Sequence, residues 1–154
     1  MSFLKLQNLS THFPVRGGGL ISRQTETIKA VDGVSLEIGQ GEILGLVGES
    51  GCGKSTLSRT VMQLQPATSG SVTLNGEELT SLPKKEIRSR RLDFQMIFQD
   101  PYASLNPRMT VFSTLAEALC QRHPGLKKDK ALTSKVVELM TTVGLDPRFM
   151  KKYP

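Results

Sequence analysis

Lys54 and Ser55 close the run Gly48-Glu49-Ser50-Gly51-Cys52-Gly53-Lys54-Ser55, which meets the pattern G-x-x-x-x-G-K-[ST] in full. Glycines at these places let successive backbone N–H groups curl around an anion. A helix that starts here turns its positive end to the same point. In such a loop the Lys54 ammonium reaches the β- and γ-phosphates of a nucleotide as a mobile charge, and the Ser55 hydroxyl is a ligand of the bridging Mg2+. Gly48, Gly51 and Gly53 shape the turn. Glu49, Ser50 and Cys52 contribute mainly backbone, and Thr56 carries the cradle into the helix. The plainer reading is a glycine-rich turn that binds nothing; the flanking pattern weighs against it.

That pattern is a strand before the loop and a helix after it. Ile43-Leu44-Gly45-Leu46-Val47 is a short apolar run of the kind a buried parallel strand needs, and Leu57, Val61 and Leu64 recur at helical spacing. Upstream, Leu4 and Leu6 alternate with Lys5 and Gln7, predicting a half-buried strand over residues 3–9. Thr11 to Thr27 reads as a loop, bent at Pro14 and loosened by Gly17-Gly18-Gly19. Val34, Leu36 and Ile38 predict a second strand that stops at Gly39. Downstream, Ser71-Val72-Thr73-Leu74 runs into the turn signal Asn75-Gly76, an antiparallel flank to the core. A short basic helix follows over Lys84–Arg91, then a core strand over Phe94–Phe98. From Thr110, a capping residue, the period becomes helical, with Val111, Leu115 and Leu119 on one face and a stop at His123-Pro124-Gly125. Leu132, Val136, Leu139, Met140 and Val143 predict a last helix closed by Gly144. The fold class is α/β: a phosphate-loop core with antiparallel flanking strands over 1–104 and the start of a helical subdomain over 105–154.

Composition narrows the function classes. The chain has 154 residues, 38% hydrophobic and 22% charged, which is about one soluble domain. No apolar run approaches the roughly 18 residues of a membrane span, and Met1-Ser2-Phe3-Leu4-Lys5 lacks a signal-peptide layout, so a cytosolic protein is expected. Cys52 and Cys120 have neither metal-ligand nor disulfide spacing. The net charge of +6 is concentrated in Lys84, Lys85, Arg88, Arg90 and Arg91 and again in Lys127, Lys128, Lys130, Lys151 and Lys152. Aromatics do not interleave with them, so the reading is a solvated face and not a nucleic-acid surface. His12 and His123 sit beside or near prolines and take no catalytic role.

The phosphate loop together with Met96-Ile97-Phe98-Gln99-Asp100-Pro101-Tyr102-Ala103-Ser104-Leu105-Asn106-Pro107-Arg108-Met109-Thr110-Val111 resembles the ATP-binding subunit of an ABC transporter, of the dipeptide and oligopeptide importer type. Ala30-Val31-Asp32-Gly33-Val34-Ser35-Leu36 and Pro66-Ala67-Thr68-Ser69-Gly70 are similar to phrases of the same family, so the likeness covers essentially the whole chain. The resemblance implies ATP and Mg2+ as ligands. It implies that Gln99 is the mobile-loop glutamine contacting Mg2+ and the attacking water, and that Asp100 to Met109 lies at the joint where a membrane partner docks. It further implies that Phe13 stacks on adenine, with a buried structural phenylalanine as the other reading. The implied partners are membrane-spanning permease subunits, a second identical or different ATP-binding subunit and, indirectly, a solute-binding protein. The implied place is the cytoplasmic face of the inner membrane.

An ATPase of this family also needs an Asp at a strand end, a neighbouring Glu, a Ser- and Gly-rich signature loop and a late His. None is found before Tyr153-Pro154, so the chain is read as the N-terminal part of a longer protein, which by itself binds MgATP weakly and hydrolyses it negligibly. Two other classes compete: a different phosphate-loop enzyme, such as a GTPase or small-molecule kinase, and a nucleotide-binding module without hydrolysis. No Asn-Lys-x-Asp guanine reader occurs, and Arg88, Arg90 and Arg91 are a poor kinase lid.

Overall fold

The computed structural model describes residues 2–16, 25–126 and 129–154. It divides into two compact units, residues 1–95 and 96–154.

The first unit is built on a four-stranded antiparallel sheet, β1 (Ser2–Arg16), β2 (Thr25–Gly39), β3 (Ser69–Leu74) and β4 (Glu77–Glu78), in the order β2-β1-β3-β4. Leu6 of β1 lies opposite Leu36 on one side and Val72 on the other, so alternation puts one apolar face inward. Leu6, Leu9, Val31 and Val72 are buried there with Leu57 of helix α1 (Lys54–Val61) and Ile87 of helix α2 (Lys84–Arg90). The predicted Asn75-Gly76 turn is present, both residues having positive φ, 48° and 84°, as a tight two-residue hairpin of matching twist demands. At Gly70, with φ 82°, a side chain would collide with the backbone of Gln7 and Asn8, where β1 bulges against β3.

The strands run further than the sequence pattern predicts. Thr11–Arg16 and Thr25–Thr27 belong to β1 and β2, not to a loop, because each finds a ladder partner in the other: Phe13 faces Ile28 and Pro14 faces Thr27. Gly17-Gly18-Gly19 lies outside the described residues. In the opposite direction, the two expected core strands are absent. Residues 42–49 and 95–98 carry no strand assignment, and Ile43, Val47 and Ile97 are 95%, 93% and 93% exposed. A parallel strand exists only when a neighbour takes its N–H and C=O groups; no strand among the described residues does so.

The second unit packs helix α3 (Val111–Arg122) against α4 (Lys130–Thr142). Thr110 caps α3 by accepting from the Ser113 N–H at 3.2 Å, and Asp129 caps α4 through the N–H groups of Ala131 and Leu132. Leu132, Val136 and Met140 are buried on the predicted face, whereas Val143 follows the helix end and is 67% exposed. Gly144 takes the left-handed conformation after it, φ 74°.

Candidate functional site

The phosphate loop enters α1 as its pattern requires. Gly53 is the N-cap, at φ 95°, and no side chain caps the helix start or places a carboxylate in the first turn. The first-turn N–H groups and their partial positive charge therefore face the loop without competition from an acidic residue. Gly53 is wedged against β2, since a Cβ there would collide with the Ala30 carbonyl. That contact sets where the helix begins relative to the sheet. Lys54 folds back over the loop, its Nζ donating to the carbonyl oxygens of Gly48 and Glu49 at 2.6 Å each and lying 3.5 Å from Cys52 Sγ. A cation held by neutral carbonyls is poised for exchange, because an anionic oxygen is the stronger acceptor. Ser55 is exposed, and its hydroxyl makes no hydrogen bond among the described residues; Thr56 is half-buried. Gly48, Glu49, Ser50, Gly51 and Cys52 are all exposed along the loop. A glycine-lined cradle, an uncapped helix start and a free hydroxyl fit a nucleotide triphosphate with Mg2+. No cluster of His, Cys, Asp or Glu among the described residues offers a protein-only metal site.

A threonine pair and a three-residue cluster further hold this frame, and neither is legible in the sequence. Thr11 and Thr60 are fully buried with their hydroxyl oxygens 2.8 Å apart. Thr60 also donates to the Thr56 carbonyl at 2.9 Å, so its proton is committed and Thr11 donates to it, bolting α1 to β1. Thr60→Val should leave the Thr11 hydroxyl buried without an acceptor, at a cost of about 1–3 kcal/mol in a urea titration. The larger part of that loss should return in Thr11→Val/Thr60→Val, where neither hydroxyl remains.

Asp32 accepts from Lys29 Nζ at 3.1 Å and from His12 Nε2 at 3.0 Å. The Lys29 hydrogen bond, then that of His12, holds the Asp32 carboxyl below its usual 3.8. A carboxyl lowered in the folded state stabilises fully above its unfolded pKa and loses that contribution as pH falls through the folded one. Asp32→Asn should therefore make stability less sensitive to acidification below 3.8, read as urea midpoints along an acid series. His12 thus has a structural partner, and His123 simply follows the last turn of α3.

Phe13 belongs to the same unit as the loop; it is half-buried in β1, opposite Ile28. Gln99 belongs to the second unit and is exposed in an irregular segment. Its neighbour Asp100 accepts from the N–H groups of Tyr102 and Ala103 at 3.0 and 3.2 Å, a local turn role that occupies it.

A glycine-wedged phosphate loop opening a helix beside an antiparallel flank defines an α/β nucleotide-binding core of the phosphate-loop class, followed here by a helical unit. The model of the ABC transporter family matches residues 31–154, and the chain belongs to that family. It is 45% identical over 152 residues to the oligopeptide transport ATP-binding protein OppF of Escherichia coli (strain K12), across 98% of this chain and 45% of that one. To the glutathione import ATP-binding protein GsiA of Pectobacterium atrosepticum it is 42% identical over 151 residues, 98% of this chain and 24% of that one. The ATP-binding cassette MJ0796, in a dimeric post-hydrolysis state bound to ADP and Pi, superposes with a TM-score of 0.79 at 26% identity, over 98% of this chain and 61% of that one. The chain spans less than half the length of these curated relatives. No helix among the described residues is long and apolar enough to cross a membrane.

Proposed function

We propose that this chain supplies the ATP-binding core of an ABC importer subunit that powers uptake of peptides or related small solutes. The observation that carries the reading is the loop at α1, where the Lys54 ammonium is held by two carbonyls and the Cys52 sulfur, all neutral, and the helix start is open. Residues 48–56 hold the phosphates: the Lys54 ammonium exchanges the Gly48 and Glu49 carbonyls for β- and γ-phosphate oxygens, while first-turn N–H groups bind the rest. Ser55 would hold Mg2+, which when bound neutralises phosphate charge, and Gln99 carries the metal-and-water role that the family resemblance implies. Gln99 orients water as a neutral amide that both donates and accepts. Phe13 offers its ring to adenine.

The names of OppF and GsiA, oligopeptide transport and glutathione import, support the solute class. Peripheral attachment at the cytoplasmic face of the inner membrane, through permease subunits and a second ATP-binding subunit, follows from the same reading.

MgATP at about a hundredfold excess over its Kd should stabilise the chain by about 2.7 kcal/mol, seen as a raised melting temperature. MgGTP should do less at equal concentration, and hydrolysis should be negligible beside a full-length relative. No response to either nucleotide, or a preference for GTP, would overturn the assignment.

A further inference from the structure

The basic segment at α2 is not used by the nucleotide site. Lys84, Arg88 and Arg91 recur at i, i+4 and i+7, which places them on one helical face. In the structure all three line a half-open groove of about 620 Å3 between α2, the end of α1 and the start of β3, a size usual for small-molecule sites, roughly 300–1,000 Å3. None of the three has an ion-pair partner among the described residues, whereas Arg90, on another face, is held by Glu77 at 2.9 Å. The Arg91 guanidinium makes, among the described residues, one long hydrogen bond of 3.5 Å, to the Gln63 carbonyl. No carboxylate lines the groove. Among the described hydrogen bonds, a groove-lining side chain reaches a carboxylate at Thr80, whose hydroxyl donates to Glu78 at 3.1 Å.

Three unpaired cations converging without a counter-charge make an anion site, and the wall beside them selects which anion. Leu64, Pro66 and Leu82 form that wall, and Leu64 is 43% exposed. A soluble phosphate would leave this apolar surface wet. A nucleic acid would want a stacking aromatic, and none lines the groove. An amphiphile satisfies both halves: its phosphate meets the cations and its glycerol and first methylenes lie on Leu64 and Pro66. We propose that this groove binds the headgroup of an anionic phospholipid, giving the chain a direct contact with a membrane surface. The contact is independent of the nucleotide site.

The test is co-sedimentation of the chain with vesicles of phosphatidylglycerol in phosphatidylcholine, and with phosphatidylcholine alone, at about 0.1 M salt. Binding should occur with the anionic vesicles only. Lys84→Gln/Arg88→Gln should weaken it about thirtyfold, the effect of withdrawing two cations from such a surface. The charge-matched control Lys151→Gln/Lys152→Gln, in the second unit, should change it less than about threefold. All four side chains are exposed, so melting temperatures should not move. Equal weakening by the two doubles would mean diffuse attraction and overturn the groove. Equal binding to both vesicle types would overturn the headgroup. Saturable binding of glycerol phosphate without vesicle binding would overturn the lipid source.

Discussion

Lys54→Ala should abolish the MgATP-dependent rise in melting temperature while leaving the ligand-free melting temperature nearly unchanged. The asymmetry follows from what Lys54 touches. The only hydrogen bonds of its side chain among the described residues are to the exposed Gly48 and Glu49 carbonyls and the Cys52 sulfur, groups that water can serve as well. Toward nucleotide the loss is large, because the ammonium is the one mobile charge the loop offers to two phosphates. The full stabilisation, about 2.7 kcal/mol at a hundredfold excess over the wild-type Kd, should disappear. An MgATP response in the variant equal to that of the wild type would remove Lys54, and with it the loop, from the site. A collapse of ligand-free stability would instead mean that the ammonium holds the loop together.

Gly53→Ala should be the most damaging single substitution in the loop, lowering stability by about 3 kcal/mol or more and removing the nucleotide response as well. Two costs add here. The residue sits at φ 95°, where an L side chain costs roughly 1–2 kcal/mol. Its Cβ would also collide with the Ala30 carbonyl, a backbone atom that moves only if β2 moves. Gly51→Ala separates the terms: φ is similarly positive, 83°, but nothing lies within 4 Å of the added carbon. That variant should lose only the conformational part, about 1–2 kcal/mol. Denaturant midpoints for both would show it, and equal losses would mean that the Ala30 wedge carries no weight.

Some of this structure is local chemistry and some is not. Thr110 and Gly144 mark helix boundaries because a side-chain acceptor and a residue tolerant of positive φ act within one turn. Asn75-Gly76 marks a hairpin for the same reason. By contrast Ile43–Val47 and Phe94–Phe98 read as buried strands, yet neither has a strand assignment, and Ile43, Val47 and Ile97 are almost fully exposed while Phe94 packs on the core without a ladder. Val143 shows the limit inside a helix pattern, since apolar spacing continued one residue beyond the end of α4. The spacing of Lys84, Arg88 and Arg91 was visible, but the absence of any carboxylate opposite them was not.

By itself, the order of residues determined the phosphate-loop pattern, its helix, the Asn75-Gly76 hairpin, the helix boundaries at Thr110 and Gly144 and membership of a nucleotide-binding class. Each is set by backbone conformations and side-chain contacts a few residues apart. The tertiary structure alone decided that Gly53 rests on Ala30, that Thr11 donates to Thr60 across 49 positions, and that two apolar runs have no ladder among the described residues. Those outcomes depend on groups distant in the chain, where pairing and burial are won or lost by which partner arrives.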